Sequence, residues 1–181
     1  MYQTRRRSVF IIFALAGLGV IALDQLTKHL VMAHLLLYQS IPLSKGWLNL
    51  VYVHNTGVAF GFFAGPNTFP KTLFFSGLTL IAVVVVLYFL WQAAQRRDGL
   101  QAVFLGMICG GAMGNLIDRF SIGAVIDFID VYYKRYHWPA FNVADAAISV
   151  GVVLLILQLI LKGSRGSEKA GQDAPRSVPN R

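Results

Sequence analysis

Five aspartates carry the chemical interest of this sequence. Asp24 and Asp118 end apolar runs, Asp145 begins one, and Asp127 and Asp130 lie in the connection before it. Two carboxylates close together in a partly dry site cannot both ionise cheaply, so one keeps its proton. The charged member can then take a proton from water while the neutral member protonates a carbonyl oxygen or a leaving amine. Such a pair titrates as a unit. This is aspartic-peptidase chemistry, which needs no metal, no cofactor and no covalent intermediate. The residues alone leave open which of the five would pair. The structural alternative is that all of them are interfacial ion pairs and helix caps.

Polar neighbours recur at helical spacing. Asp24 and Lys28 are four apart, as are Asn115 and Arg119, with Asp118 beside the second pair. Residues so spaced share one helix face. Asn142, Asp145 and Ser149 follow the same rule, and Asn142 suits a helix N-cap. Asp118 beside Arg119 reads as a structural ion pair, and Asp130 as solvated or structural. Other chemistries find little footing. His29, His34, His54 and His137 form no H-E-x-x-H pattern, and there is no G-x-S-x-G, Walker or Rossmann fingerprint. A serine hydrolase using His54 or His137 would have no marked nucleophile.

These groups need elements to hold them. Apolar residues make up 56% of the 181-residue chain and charged residues 13%, against roughly 25% charged in a soluble domain. A bilayer is the fitting solvent. Four runs approach the ~20 residues that span it: Val9–Thr27, Thr72–Gln92, Leu100–Ile117 and Ala144–Leu161. The first is too long for the core of a cleaved signal peptide and lacks a clear cleavage site. The net charge of +8 does not point to nucleic acid, because the basic residues flank apolar runs and form no stripe. They cluster instead at Arg5–Arg7, at Arg96 and Arg97, and in the tail after Lys162. By the positive-inside bias both termini are then cytoplasmic.

That topology sends all five aspartates to one level, the outer interface. It also puts two segments outside, Lys28–Lys71 and Asp118–Asn142. The first reads as a small β element leaning on the membrane, with Trp47, Tyr52, Phe60, Phe62 and Phe63 suited to the interface, and glycines that permit the Asn55–Phe63 stretch to close over a ligand. Asp98, Glu168 and Asp173 read as solvated charge. Gly106, Gly110 and Gly114, with Gly111, let helix backbones approach closely and are expected to bring the outer ends of spans three and four together. Cys109, the single cysteine, reads as a small buried helix residue. The fold class is thus an all-α polytopic membrane protein of four transmembrane helices with a small periplasmic β element. Residues 1–163 form its domain and 164–181 a disordered polar cytoplasmic tail.

Five motifs resemble those of the lipoprotein signal peptidases, the type II signal peptidases of bacteria: "DQLTK" (Asp24–Lys28), "NTGVAFG" (Asn55–Gly61), "GGAMGNLIDR" (Gly110–Arg119), "VIDFID" (Val125–Asp130) and "FNVADAAI" (Phe141–Ile148). Their order and spacing agree, the motif positions show no departure, and the likeness covers about Val9–Leu161. The resemblance implies an aspartic endopeptidase of the cytoplasmic (inner) membrane with Asp127 and Asp145 as its catalytic dyad. It implies Asp24, Lys28, Asn55, Asn115, Arg119 and Asn142 as residues lining or supporting the site. It further implies diacylglyceryl-modified prolipoproteins as substrates, cut before the lipidated cysteine, and inhibition by globomycin. On that reading the scissile bond lies at the outer leaflet, where the substrate's acyl chains hold it, so Asp145 heads a span because the bond is there. A small proton-coupled transporter or channel subunit also uses membrane carboxylates, but transport sites lie near the midplane. A structural assembly factor is the third reading.

Overall fold

The computed structural model describes residues 2–57 and 68–172. Phe60, Phe62 and Phe63, the rest of the closing stretch beyond Gly57, and the tail from 173 on lie outside the described residues. The chain runs α1 (Tyr2–His34), β1 (Ser40–Ser44), β2 (Leu48–Asn55), α2 (Phe69–Arg96), α3 (Gly99–Ile122), β3 (Val125–Tyr133), β4 (Tyr136–His137) and α4 (Val143–Gln172). All four helices are long and apolar enough to cross a membrane. Where a disordered tail is expected from residue 164, α4 continues to Gln172.

Helix α3 is the central one, and its glycines explain why. A Cβ on Gly106 would come within 2.6 Å of the Phe13 carbonyl oxygen, and one on Gly110 within 2.5 Å of that of Gly17. One on Gly114 would meet Asp24 Oδ2 at 2.5 Å. The stripe therefore seats α3 on α1, not on α4 as expected. Gly111 turns toward α4, where a Cβ would collide with the Ala144 carbonyl oxygen, and Gly151 of α4 lies against the Phe104 carbonyl of α3. The ends of α3 and α4 that carry Asn115 and Asp145 do meet, through Gly111 and through hydrogen bonds from Asn115 to Asp145 and from Asn142 to Asn115. In hydrocarbon the gain comes from close packing and not from escape from water.

The bundle is apolar at one end and polar at the other. Val9, Val86, Leu90, Ala93, Ala94, Ala102 and Leu105 form a buried cluster where α1 begins, α2 ends and α3 begins, and half-buried Cys109 packs against it. Asp98 lies at this end and is no freely solvated charge. It caps α3 by accepting from the Gln101 N–H at 3.1 Å, accepts from Gln158 Nε2 and pairs with Lys162 of α4.

At the far end the two connections build a single antiparallel sheet, ordered β1-β2-β3-β4. A strand was expected only in the first connection; β3 comes from the second. Gly123, at φ 78°, ends α3 in the left-handed region and returns its N–H to the Arg119 carbonyl. Glycine adopts that conformation without cost, so β3 can start two residues later. Phe141 exchanges hydrogen bonds with Ile129 at 3.0 and 2.9 Å, which pins the chain just before α4 onto β3.

Candidate active site

Asn142 sits where β3 meets α4, and two local rules fix its surroundings. Its Oδ1 accepts from the Asp145 N–H at 2.9 Å, while Asp145 Oδ2 accepts from the Asn142 N–H at 3.3 Å. This is a capping box built from Asn and Asp, and it sets the direction of Asp145. The Asn142 side-chain amide points the other way. Its Nδ2 donates to Asp127 Oδ1 at 2.8 Å, to the Ile126 carbonyl at 3.1 Å and to Asn115 Oδ1 at 3.1 Å. One residue therefore touches both candidate dyad aspartates.

Other amides complete the shell. Asn55 Nδ2, at the end of β2, donates to Asp127 Oδ2 at 3.0 Å. Asn115 Nδ2, on α3, donates to Asp145 Oδ1 at 2.8 Å. Among the described residues, no ion pair holds either carboxylate. Asp127 is 1% exposed. Burial, and then the neighbouring charge of Asp145, push its carboxyl up to about 7, against the pull of the Asn55 and Asn142 amides and of Lys28.

A second acid cluster lies directly behind. Lys28 is not at the start of an outer segment, as expected, but inside α1 and wholly buried. Its Nζ meets Asp24 Oδ2 at 2.8 Å, Asp118 Oδ2 at 2.7 Å and Asn115 Oδ1 at 3.0 Å. An ammonium has three protons, and each has an acceptor. Asp24 Oδ1 accepts from the Ala144 N–H at the head of α4 at 3.0 Å, and Asp118 Oδ2 from the Ile126 N–H at 3.1 Å, one residue before Asp127. The cluster thus ties α1 and α3 to the two elements that carry Asp127 and Asp145.

One expected pairing changes. Asp118 binds Lys28 and not Arg119, because adjacent helix residues do not face each other. Arg119 turns toward α2 instead, donating to Thr79 Oγ1 at 3.4 Å and lying 6.0 Å from the Phe75 ring centroid. Asp130 stands three residues from Asp127 on a strand, hence on the opposite face. It is buried, accepts from Asn49 Nδ2 at 2.8 Å and pairs with His137 at 2.9 Å. His54 bonds the Tyr52 hydroxyl at 3.1 Å. Gln25 escaped the sequence reading: its Nε2 donates to Asp118 Oδ1 at 3.0 Å and to the Gly114 carbonyl at 3.2 Å. Nothing but its place beside Asp24 could have marked it.

Beside Asp145 opens a cavity of about 550 Å³. Asn55, Asn115, Arg119 and Ser149 give it polar points, and Trp138, Phe141 and Ile148 contribute to a mostly apolar wall. Neither His54 nor His137 lines it. Asp127 lies behind its wall, bonded to Asn55, which lines it.

Comparison with known proteins gives this arrangement a setting. A chain from Syntrophus aciditrophicus (strain SB) described as a lipoprotein signal peptidase is 45% identical over 157 residues, which is 87% of this chain and 96% of that one. One of the same description from Geobacter metallireducens is also 45% identical, covering 87% and 95%. A solved bacterial membrane enzyme superposes with a TM-score of 0.72 at 29% identity, covering 92% of this chain and 94% of its own. A second gives 0.69 at 30% identity, covering 81% and 91%. With its four spans, this is a multi-pass membrane protein. The family described as "Signal peptidase (SPase) II" matches residues 16–161, and the chain belongs to that peptidase family.

Proposed function

We propose that the protein is an aspartic endopeptidase that removes the signal peptide from diacylglyceryl-modified prolipoproteins, cutting just before the lipidated cysteine. The observation that carries this reading is the joint hold of Asn142 on Asp127 and Asp145 beside the cavity. The family membership supports the substrate class.

In the proposed reaction Asp127 holds the proton and Asp145, which lines the cavity, is charged. Asp145 takes a proton from water as the water oxygen attacks the scissile carbonyl carbon. Asp127 gives its proton to the carbonyl oxygen, and a tetrahedral diol forms. The carbon–nitrogen bond then breaks. Asp145 passes its proton to the new amine of the lipidated cysteine, and Asp127 recovers one from the diol. Asn115, Asn142 and Asn55 hold the carboxylates in place. Asp24 and Lys28 fix the scaffold behind them, and Arg119 offers a cation to the substrate backbone. Holding the reacting groups in one geometry supplies much of the rate.

The protein works in the bacterial cytoplasmic membrane, both termini inside, with the sheet and the dyad at the outer leaflet. The distribution of Lys and Arg supports this orientation, as does the place of the polar cluster at the helix ends remote from Arg96 and Arg97. Residues 1–163 form the peptidase domain, and the polar segment beyond them is cytoplasmic. Globomycin is expected to inhibit.

The test is cleavage of a diacylglyceryl prolipoprotein by the purified protein in lipid, with the product mass read out. A product beginning at the lipidated cysteine supports the proposal. An intact, verified substrate rejects it and sends the transporter alternative to a proton-flux assay.

A further inference from the structure

Helix α2 is apolar over most of its outward surface, yet three hydroxyls, Thr72, Ser76 and Thr79, repeat along one stripe facing α3. Thr72 Oγ1 donates to the Gly123 carbonyl at 3.4 Å, and Thr79 Oγ1 to the Phe75 carbonyl at 2.9 Å while accepting from Arg119. Ser76 differs. It is 2% exposed, and its Oγ has no hydrogen-bond partner. Buried hydroxyls are rarely left so, least of all at a depth where the surrounding solvent is hydrocarbon.

Ser76 borders a niche of about 310 Å³ between α2 and α3. Thr72, Ser76 and Arg119 form its polar wall, and Phe69, Leu73 and Phe120 its rim. Those three apolar side chains are all more than half exposed, so the rim faces the bilayer. A fitting occupant must bring oxygen acceptors to a serine hydroxyl and a guanidinium, and must carry apolar chains to lie along the rim. A water-soluble anion meets only the first requirement.

We propose that this niche binds the glycerol-ester region of a two-chain lipid. Ser76 donates to an ester carbonyl, Arg119 lies against the oxygen-rich backbone, and the acyl chains run over Leu73 and Phe120. Arg119 also lines the larger cavity beside Asp145, so the niche and the candidate cleft share a wall. Two sources carry this chemistry: the diacylglyceryl group of a substrate, which rests on the function proposed above, and a phospholipid of the bilayer, which does not.

The experiment compares the wild type with Ser76→Leu, which fills the niche, Ser76→Ala, which removes only the hydroxyl, and a control, Val84→Leu, on the exposed face of the same helix. Native mass spectrometry follows binding of phosphatidylglycerol to the delipidated full chain, and steady-state kinetics follow a diacylglyceryl prolipoprotein. Loss of one hydrogen bond predicts about a three- to tenfold weakening in Ser76→Ala, with a greater loss in Ser76→Leu and none in the control. A raised KM with kcat held identifies the substrate's own lipid as occupant. Weakened phospholipid binding with KM unchanged identifies a bilayer lipid. Unchanged lipid binding and unchanged KM in Ser76→Ala and in folded Ser76→Leu overturn the proposal. If Ser76→Leu does not fold, Ser76→Ala decides alone. A wild type that cuts nothing overturns the proposed function, while the phospholipid titration still decides whether the niche holds lipid.

Discussion

Two pairs of aspartates lie side by side at one end of the bundle and are treated in opposite ways. Asp24 and Asp118 share a buried ammonium whose every proton is used. Asp127 and Asp145 receive amides from Asn55, Asn115 and Asn142, and among the described residues no direct cation. A cation fixes a carboxylate in its charged form and so makes it a structural post. Neutral amides also favour the charged form, but not enough at Asp127 to outweigh burial, which keeps a proton within reach. The same residue type, in neighbouring positions, is made rigid in one case and left able to exchange protons in the other. Partner chemistry, more than position, separates scaffold from candidate catalyst.

That contrast can be broken from either side. Asp127→Asn and Asp145→Asn keep the shape of the side chain and are expected to lower turnover by roughly 10³-fold or more, at the upper part of the range for general acid–base groups. Melting temperatures should stay close to wild type. Lys28→Met should do the reverse, because it strands two buried carboxylates. Breaking a buried ion pair costs about 3–5 kcal/mol, to be read by chemical denaturation in micelles, and kcat per folded molecule should fall far less than in the two aspartate variants. A Lys28→Met protein that is stable but inactive would move Lys28 into the chemistry.

A third prediction follows from proton linkage. The Asp127 carboxyl is raised to about 7 in the folded protein, above the usual value near 4 for an exposed aspartate. Between those two values the folded state holds a proton that the unfolded state has released. Stability attributable to this group therefore falls as pH rises from about 4 to about 7 and is level above that. Cleavage that needs the protonated form should fall as pH rises through about 7, and Asp127→Asn should flatten the stability change. The smallest effect is expected at Asn142. Asn142→Ala removes the helix cap, worth about 1 kcal/mol, and also frees both carboxylates, so kcat should drop further than the stability loss explains. Asn142→Ser, which restores a cap oxygen but not the amide donor to Asp127, should recover part of the stability and not kcat.

Much of this arrangement was legible in the chain because it is local. Apolar run lengths gave the four spans, and their alternation with basic clusters sent the acids to one level. The spacing from Asn142 to Asp145 marked a cap, and the structure has one. The motifs that resemble those of the signal peptidases are conspicuous because their polar residues interrupt an apolar sequence. What stayed hidden depends on distant partners. Lys28 ended a span on paper because a lysine inside a bilayer needs neutralising, and its second neutraliser, Asp118, is on another helix. Strand β3 is buried along most of its length, so "VIDFID" shows no alternation of apolar and polar residues, and its pairing with β2 is a tertiary event. The glycine stripe announced a close crossing but could not name the helix crossed.

The difference between the two acid pairs is best tested by watching the proton itself. Infrared difference spectra of the protein in lipid, taken between pH 6 and pH 8.5, report the carbonyl stretch of a protonated carboxyl. A band that disappears with a midpoint near 7 in the wild type, and is missing from Asp127→Asn, is the expected result. A wild type with no such band, or one that Asp127→Asn leaves in place, would contradict the assignment of the proton to Asp127 and with it the division of roles between the two pairs.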